Sequence, residues 1–217
     1  MSDDCIYHPR LDEHGARVRL HAPSCEANLA RLADPCADIT FVPGSACADV
    51  LHGVTFAPCS CADVEAASRG AGAVDEPPFV LPAGKRAAAG VVVREPDGRL
   101  WLVAPSNRFG GYEATFPKGR VEPGMPLQAT AIREAWEESG LLVEPTAWLG
   151  DFSRTQTYTR FYLARRVGGH PADMGWESQA VHLVTPAHAV RLLNRATDHA
   201  VLAALERTGR AEGSTAP

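Results

Sequence analysis

The pattern of apolar and polar positions becomes regular about a third of the way along the chain. Ala87–Arg94 and Arg99–Ala104 read as two strands joined by Pro96-Asp97-Gly98, a sequence suited to a tight turn. Pro126–Ser139 carries Leu127, Ala131 and Ala135 on a stripe at helical spacing and is the longest helical segment. Pro126 suits the first turn of that helix, and Gly140 suits its exit. Alternating stretches at Ala147–Phe152, Thr157–Ala164 and Ala180–Val184 predict further strands, and helices are expected over Pro186–Asn194 and Asp198–Arg207. Strands and helices mixed in this order predict an α/β sandwich.

The first eighty residues follow a different pattern. Ile39-Thr-Phe-Val-Pro-Gly-Ser-Ala-Cys-Ala-Asp-Val50 is echoed by Val54-Thr-Phe-Ala-Pro-Cys-Ser-Cys-Ala-Asp-Val64. Each copy reads as a short strand, a proline turn and a helix start, and two copies are too few for a solenoid. Asp75–Gly84, with paired prolines, reads as a linker. The expected division is an extension over 1–84, a folded domain over 85–210 and a flexible tail over 211–217. A loop rich in Gly and Asn is expected over Pro105–Gly111.

At 217 residues and 45% hydrophobic, the chain can bury one good core. Its formal net charge of -5 gives no electrostatic reason to expect nucleic acid as a partner. No apolar run approaches the roughly 20 residues of a membrane helix, and the first residues lack the marks of a secretory signal. The cytoplasm is therefore the default compartment. All 6 cysteines, Cys5, Cys25, Cys36, Cys47, Cys59 and Cys61, fall in the first third. Free, partly buried thiols are the plain reading, and a zinc module built from Cys47, Cys59, Cys61 and His52 is the sharper one.

The chemistry concentrates in one stretch, from Gly119 to Leu141. Glu134, Glu137 and Glu138 stand at i, i+3 and i+4, which stacks three carboxylates on one face of the helix. Such carboxylates repel one another unless cations sit between them, and hard oxygen ligands select Mg²⁺ or Mn²⁺. Arg133 adjoins them, and Gly119, Pro123 and Gly124 make a tight loop that leads into the helix. An ordinary acidic surface patch is the competing reading for three glutamates taken alone.

This stretch resembles the Nudix box, Gly-x5-Glu-x7-Arg-Glu-U-x-Glu-Glu-x-Gly-U with U bulky and apolar. Gly119, Arg133, Glu134, Glu137, Glu138, Gly140 and Leu141 fall in register, and the resemblance runs from about Lys85 to Arg207. Two positions depart from it: Met125 stands where the family has Glu, and Ala135 where it has a bulky residue. Glu122 is not counted as compensation for Met125.

The resemblance implies a Nudix-type α/β/α sandwich with a mixed central sheet. It also implies hydrolysis of a nucleoside diphosphate linked to another group, with metal on Glu134, Glu137, Glu138 and the Gly119 carbonyl. Glu137 and Glu138 are the firmest of these ligands, Glu134 is a ligand or a base, and Glu177 is a candidate base from a later loop. Phe-Pro-Lys118-Gly, Tyr158 and the closing strand and helix are similar to dinucleoside-polyphosphate hydrolases. Lys118, Arg120, Arg154 and Arg160 are the candidate phosphate contacts, and Tyr158 the candidate base platform. The expected partner is a small nucleotide or polyphosphate, ahead of ADP-ribose or a nucleotide sugar. A weakly catalytic binding regulator, motivated by Met125, is the other class considered. Family members are often dimers, so a homodimer is allowed.

Overall fold

A computed structural model describes residues 6–21, 28–70, 74–106 and 111–213. Cys5, Cys25, the centre of the Pro105–Gly111 loop and the last residues of the expected tail lie outside the described residues.

Along the chain come β1 (Tyr7–Leu11), β2 (Arg17–Arg19), β3 (Ile39–Phe41), β4 (Val50–Leu51), β5 (Val54–Thr55) and α1 (Cys61–Arg69). They are followed by β6 (Arg86–Arg94), β7 (Leu100–Pro105), β8 (Lys118–Arg120), α2 (Leu127–Ser139), β9 (Leu141–Ser153) and β10 (Thr157–Gly169). The chain closes with β11 (Ser178–Val184), α3 (Pro186–Leu192) and α4 (Ala196–Gly213). The central sheet has the order β3-β11-β7-β6-β10-β9, with β8 also paired to β6. The β6–β10 pair is parallel and the others are antiparallel, so the sheet is mixed.

Alternation along the strands sends residues to two cores. Ala89, Val91, Val93 and Tyr162 face α2, whose Ala131, Ile132 and Ala135 are buried there. Val92, Leu102, Phe161 and Leu163 face the other way, onto Val201, Leu202 and Leu205 of α4. The α/β/α sandwich with a mixed sheet is therefore present. Pro126 precedes the helix in extended conformation, and its carbonyl accepts from Thr130 at 2.9 Å. Gly140 ends it at φ 70, as its position in the sequence implied. The final helix runs on to Gly213, so helix covers the first residues of the expected tail. Among the described residues no helix is long and apolar enough to cross a membrane.

Described residues before position 84 contact the central sheet and its core. β3 forms the edge of the central sheet through its pairing with β11, and Ile39 and Phe41 lie in the α2-side core. The two near-repeats diverge for a local reason. Ser60 and Asp63 form a reciprocal capping box that starts α1. In the first copy one more residue separates Ser45 from Asp49, the box is lost, and the chain turns into β4. The zinc reading finds no support in position. His52 is bonded to Asp97 at 3.0 Å, burial pushes the Cys47 thiol up to about 11, and no three potential ligands gather among the described residues.

Side chains fasten the early segment to the rest. Arg99 donates to the carbonyls of Leu32 and Ala37, and Asp38 accepts from the Thr185 backbone and faces His188 at 2.5 Å. Thr40 meets His182 Nδ1 at 2.8 Å across β3 and β11. Burial pushes the His182 imidazole down to about 4, and the nearby His188 adds to this. The folded protein thus binds this proton less readily than the unfolded chain. Stability is full above the ordinary histidine value near 6.5 and falls as pH drops from there toward 4, by up to about 3 kcal/mol. Urea midpoints measured between pH 7 and 4 should fall for the wild type and flatten for His182→Gln.

Candidate active site

The helix α2 presents its carboxylates to β8, and the loop between them closes the site. Met125 N donates to the Glu122 carbonyl at 3.0 Å, and Gly124 has φ +83, which gives a tight turn with the glycine a type II turn requires. Glu138 accepts from the Lys118 backbone N–H at 2.9 Å, so strand and helix are clamped together. Glu134 lies directly over Gly119, where a methyl group would overlap its carboxylate. Gly119→Ala should therefore displace Glu134 and lower turnover at least tenfold, with about 1–3 kcal/mol of overpacking visible in a denaturant titration. Wild-type turnover from that variant would deny Glu134 its place in the site.

Arg133 forks onto Glu122, with two contacts of 2.9 Å, while its Nε holds Glu137 at 2.8 Å. Glu122, not counted as compensation from the sequence, thus supplies a carboxylate to Arg133 from the loop that carries Met125. The turn brings it onto the guanidinium from the first position of the turn rather than the last.

The electrostatics mark these carboxylates as unusual. Burial pushes Glu134 up to about 8, reinforced by the charges of Glu138, Glu137 and Glu177. Burial likewise pushes Glu138 up to about 7, against the pull of Lys118 and its backbone N–H. Glu177 is raised by desolvation and then by Glu137 and Glu13, so the later loop does bring it within range of the helix cluster. Like charges crowded together, offset only in part by Arg133 and Lys118, favour a cation between them. Among the described residues no three side chains already form a closed metal cage. The donor set, carboxylate oxygens close to the Gly119 backbone, nevertheless suits a hard divalent ion.

Beside the carboxylates lies a cationic group centred on Tyr112, a residue the sequence analysis did not single out. Lys118 Nζ is 5.1 Å and the Arg195 guanidinium 5.3 Å from the centre of its ring. Arg154 donates to its hydroxyl at 3.2 Å and is ion-paired with Asp198. Tyr112 follows a loop with no periodicity, Arg195 joins from just before α4 and Asp198 from its first turn, so only the fold makes the cluster. Arg120 is exposed on β8.

Tyr158 and Arg160 point to the other face of β10. Tyr158 packs on Phe79 at 5.5 Å, and Arg160 is buried in pairs with Asp151 and Glu76. The structure thus brings Lys118 and Arg154 together and leaves Tyr158 and Arg160 fastening the 75–84 segment. A separate cleft of about 640 Å³ near the β6–β7 turn, lined by His52, Arg94, Asp97 and Arg165, contains none of the site carboxylates.

A mixed sheet carrying a glycine loop, an Arg-Glu pair and a Glu-Glu pair on one helix defines a recognisable class of protein. The chain belongs to the Nudix family: the NUDIX domain model matches residues 84–205. Over 95 residues it is 35% identical to an RNA pyrophosphohydrolase of Caulobacter vibrioides, covering 43% of this chain and 52% of that protein. The chain thus spans about half the length of that relative. Over 89 residues it is 36% identical to the 8-oxo-dGDP phosphatase NUDT18 of Mus musculus, covering 36% of this chain and 27% of that one. A solved MutT protein from Methanosarcina mazei Go1 superposes with a TM-score of 0.49 at 17% identity, over 60% of this chain and 99% of that chain.

Proposed function

We propose that this protein is a pyrophosphohydrolase that cleaves a phosphoanhydride bond in a nucleotide, with nucleoside or dinucleoside polyphosphates as the preferred class. The observation that carries this reading is the junction of two groups. The carboxylates Glu134, Glu137, Glu138 and Glu177 adjoin the cations Lys118, Arg154 and Arg195 gathered around Tyr112. One relative is named an RNA pyrophosphohydrolase and another an 8-oxo-dGDP phosphatase, which supports the reaction class.

Glu137 and Glu138, with Glu134 and the Gly119 carbonyl, would hold Mg²⁺ or Mn²⁺. Such an ion neutralises phosphate oxygens and lowers the pKa of water. The protein groups do the rest. Arg133 orients Glu137, and the Lys118 N–H orients Glu138. Lys118 and Arg195 offer charge to the phosphate chain, and the Tyr112 ring offers an apolar edge beside them. Glu177, raised by burial and then by the charges of Glu137 and Glu13, is suited to take the proton of the attacking water. The Met125 departure loses its force as an argument for a non-catalytic regulator, because Glu122 engages Arg133.

The test is incubation with Mg²⁺ or Mn²⁺ and a panel of diadenosine polyphosphates, nucleoside triphosphates, 8-oxo-dGDP, 5′-triphosphorylated RNA, ADP-ribose and nucleotide sugars. Glu137→Gln serves as the control. Cleavage that disappears in the variant supports the reading, and the products identify the class. Cleavage of ADP-ribose or nucleotide sugars alone would reject the polyphosphate preference. No cleavage by folded, metal-binding protein would reject catalysis on these substrates.

A further inference from the structure

We infer that Glu122 is a positioning residue for the metal site, acting through Arg133 on Glu137. The inference rests on the metal-site reading above. The geometry is a relay: the Glu122 carboxylate accepts from both terminal nitrogens of Arg133, and the same guanidinium reaches Glu137 through Nε. Both carboxylates hold the guanidinium, and Glu122 is itself lowered by its bond to Arg133.

An exposed ion pair of this kind adds little to stability, and the Glu122 side chain is 57% exposed. Its effect must lie in where it keeps Arg133. A guanidinium fork prefers to grip one carboxylate through two parallel bonds. With Glu122 fixing the orientation of the guanidinium, Arg133 meets Glu137 through Nε at one carboxylate oxygen, and the other oxygen stays available to a cation. Without Glu122, the fork is free to close on Glu137 and compete with the metal. The turn from Glu122 to Met125, held by the 3.0 Å bond between their backbones, aims the acid at the helix. Partners that orient a metal ligand change metal affinity or activity by about 10–100-fold when removed.

The experiment measures Mn²⁺ binding to the full-length protein by electron paramagnetic resonance of the free ion, alongside kcat and KM. Glu122→Gln should weaken Mn²⁺ binding roughly tenfold and lower kcat by a similar factor, with KM little changed and the thermal midpoint retained. The weakening should persist in 1 M salt, where a loss of bare charge is screened. In an Arg133→Gln background the Glu122 substitution should have no further effect. Three results overturn the inference: unchanged Mn²⁺ binding in Glu122→Gln, a loss that vanishes in high salt, or losses that add in the double variant. Mn²⁺ binding that responds as described in a protein that cleaves nothing would sustain the relay while rejecting the catalytic reading.

Discussion

Glu138→Gln is expected to lower kcat on the order of 10³-fold while leaving the fold in place. The amide oxygen of glutamine can still accept from the Lys118 N–H, so the clamp between β8 and α2 survives. What is lost is the negative charge at a site crowded with carboxylates, the feature that would hold a divalent cation. Each tenfold loss corresponds to about 1.4 kcal/mol of transition-state stabilisation. Because burial already disfavours the charged form of Glu138, removing that charge should not lower the thermal midpoint of chelated protein at pH 8. Turnover, Mn²⁺ titration and a melt of chelated protein check the three statements together. Near-wild-type turnover from well-folded Glu138→Gln would reject the assignment of Glu138 as a metal ligand.

The second large effect is on stability. Arg166, 1% exposed, pairs with the equally buried Glu95 at 2.7 Å, and Glu95 also accepts from the Trp101 indole. The same guanidinium donates to the carbonyls of Leu51 and Val54 and lies 4.3 Å from the centre of the Phe56 ring. Arg166→Met leaves Glu95 as an uncompensated buried charge and two carbonyls without their donor. A loss of about 3–5 kcal/mol is expected, a large part of the marginal stability of a domain, readable as a fall in the urea midpoint. Arg166→Met/Glu95→Gln should recover part of that loss, since the stranded charge is gone. A single variant as stable as the wild type would show that the pair does not hold the early segment to β10.

This arrangement bears on how the chain divides. A fragment beginning at residue 84 would keep the matched family segment but lose Ile39, Phe41, Leu51, Phe56 and Val64 from the α2-side core. Fully buried side chains of this kind are each worth about 1.5–3 kcal/mol. Those five side chains thus share one core with the matched family segment.

Much of the fold could be read along the chain because its signals are local. The strand pair around Pro96-Asp97-Gly98, the helix ending at Gly140 and the Thr157 strand depend on turn chemistry and spacing within a few residues. The spacing of Arg133, Glu134, Glu137 and Glu138 fixes their common face for the same reason, since one helical turn brings i, i+3 and i+4 together. The apolar alternation stops at Ala164 because Arg165 and Arg166 break it, whereas β10 runs on to Gly169 with Arg166 buried.

What only the tertiary structure decided concerns pairs far apart in sequence. β3 joining β11, Arg166 reaching Leu51, and Tyr112 meeting Arg195 each depend on which surfaces the folded sheet brings within a few ångströms. As candidate phosphate contacts on the strands after the helix, Arg160 and Arg154 had the same standing. The alternation of β10 buried Arg160 on the Phe79 face, while Arg154 was brought to Tyr112. Glu122 shows the same division at short range. Its presence in the loop was plain, but only a turn that aimed it at Arg133 made it a partner. The sequence by itself determined which side chains share a helix face, because that follows from local geometry. The packing of the whole chain decided which of them face a partner, because burial and charge depend on everything that surrounds a residue.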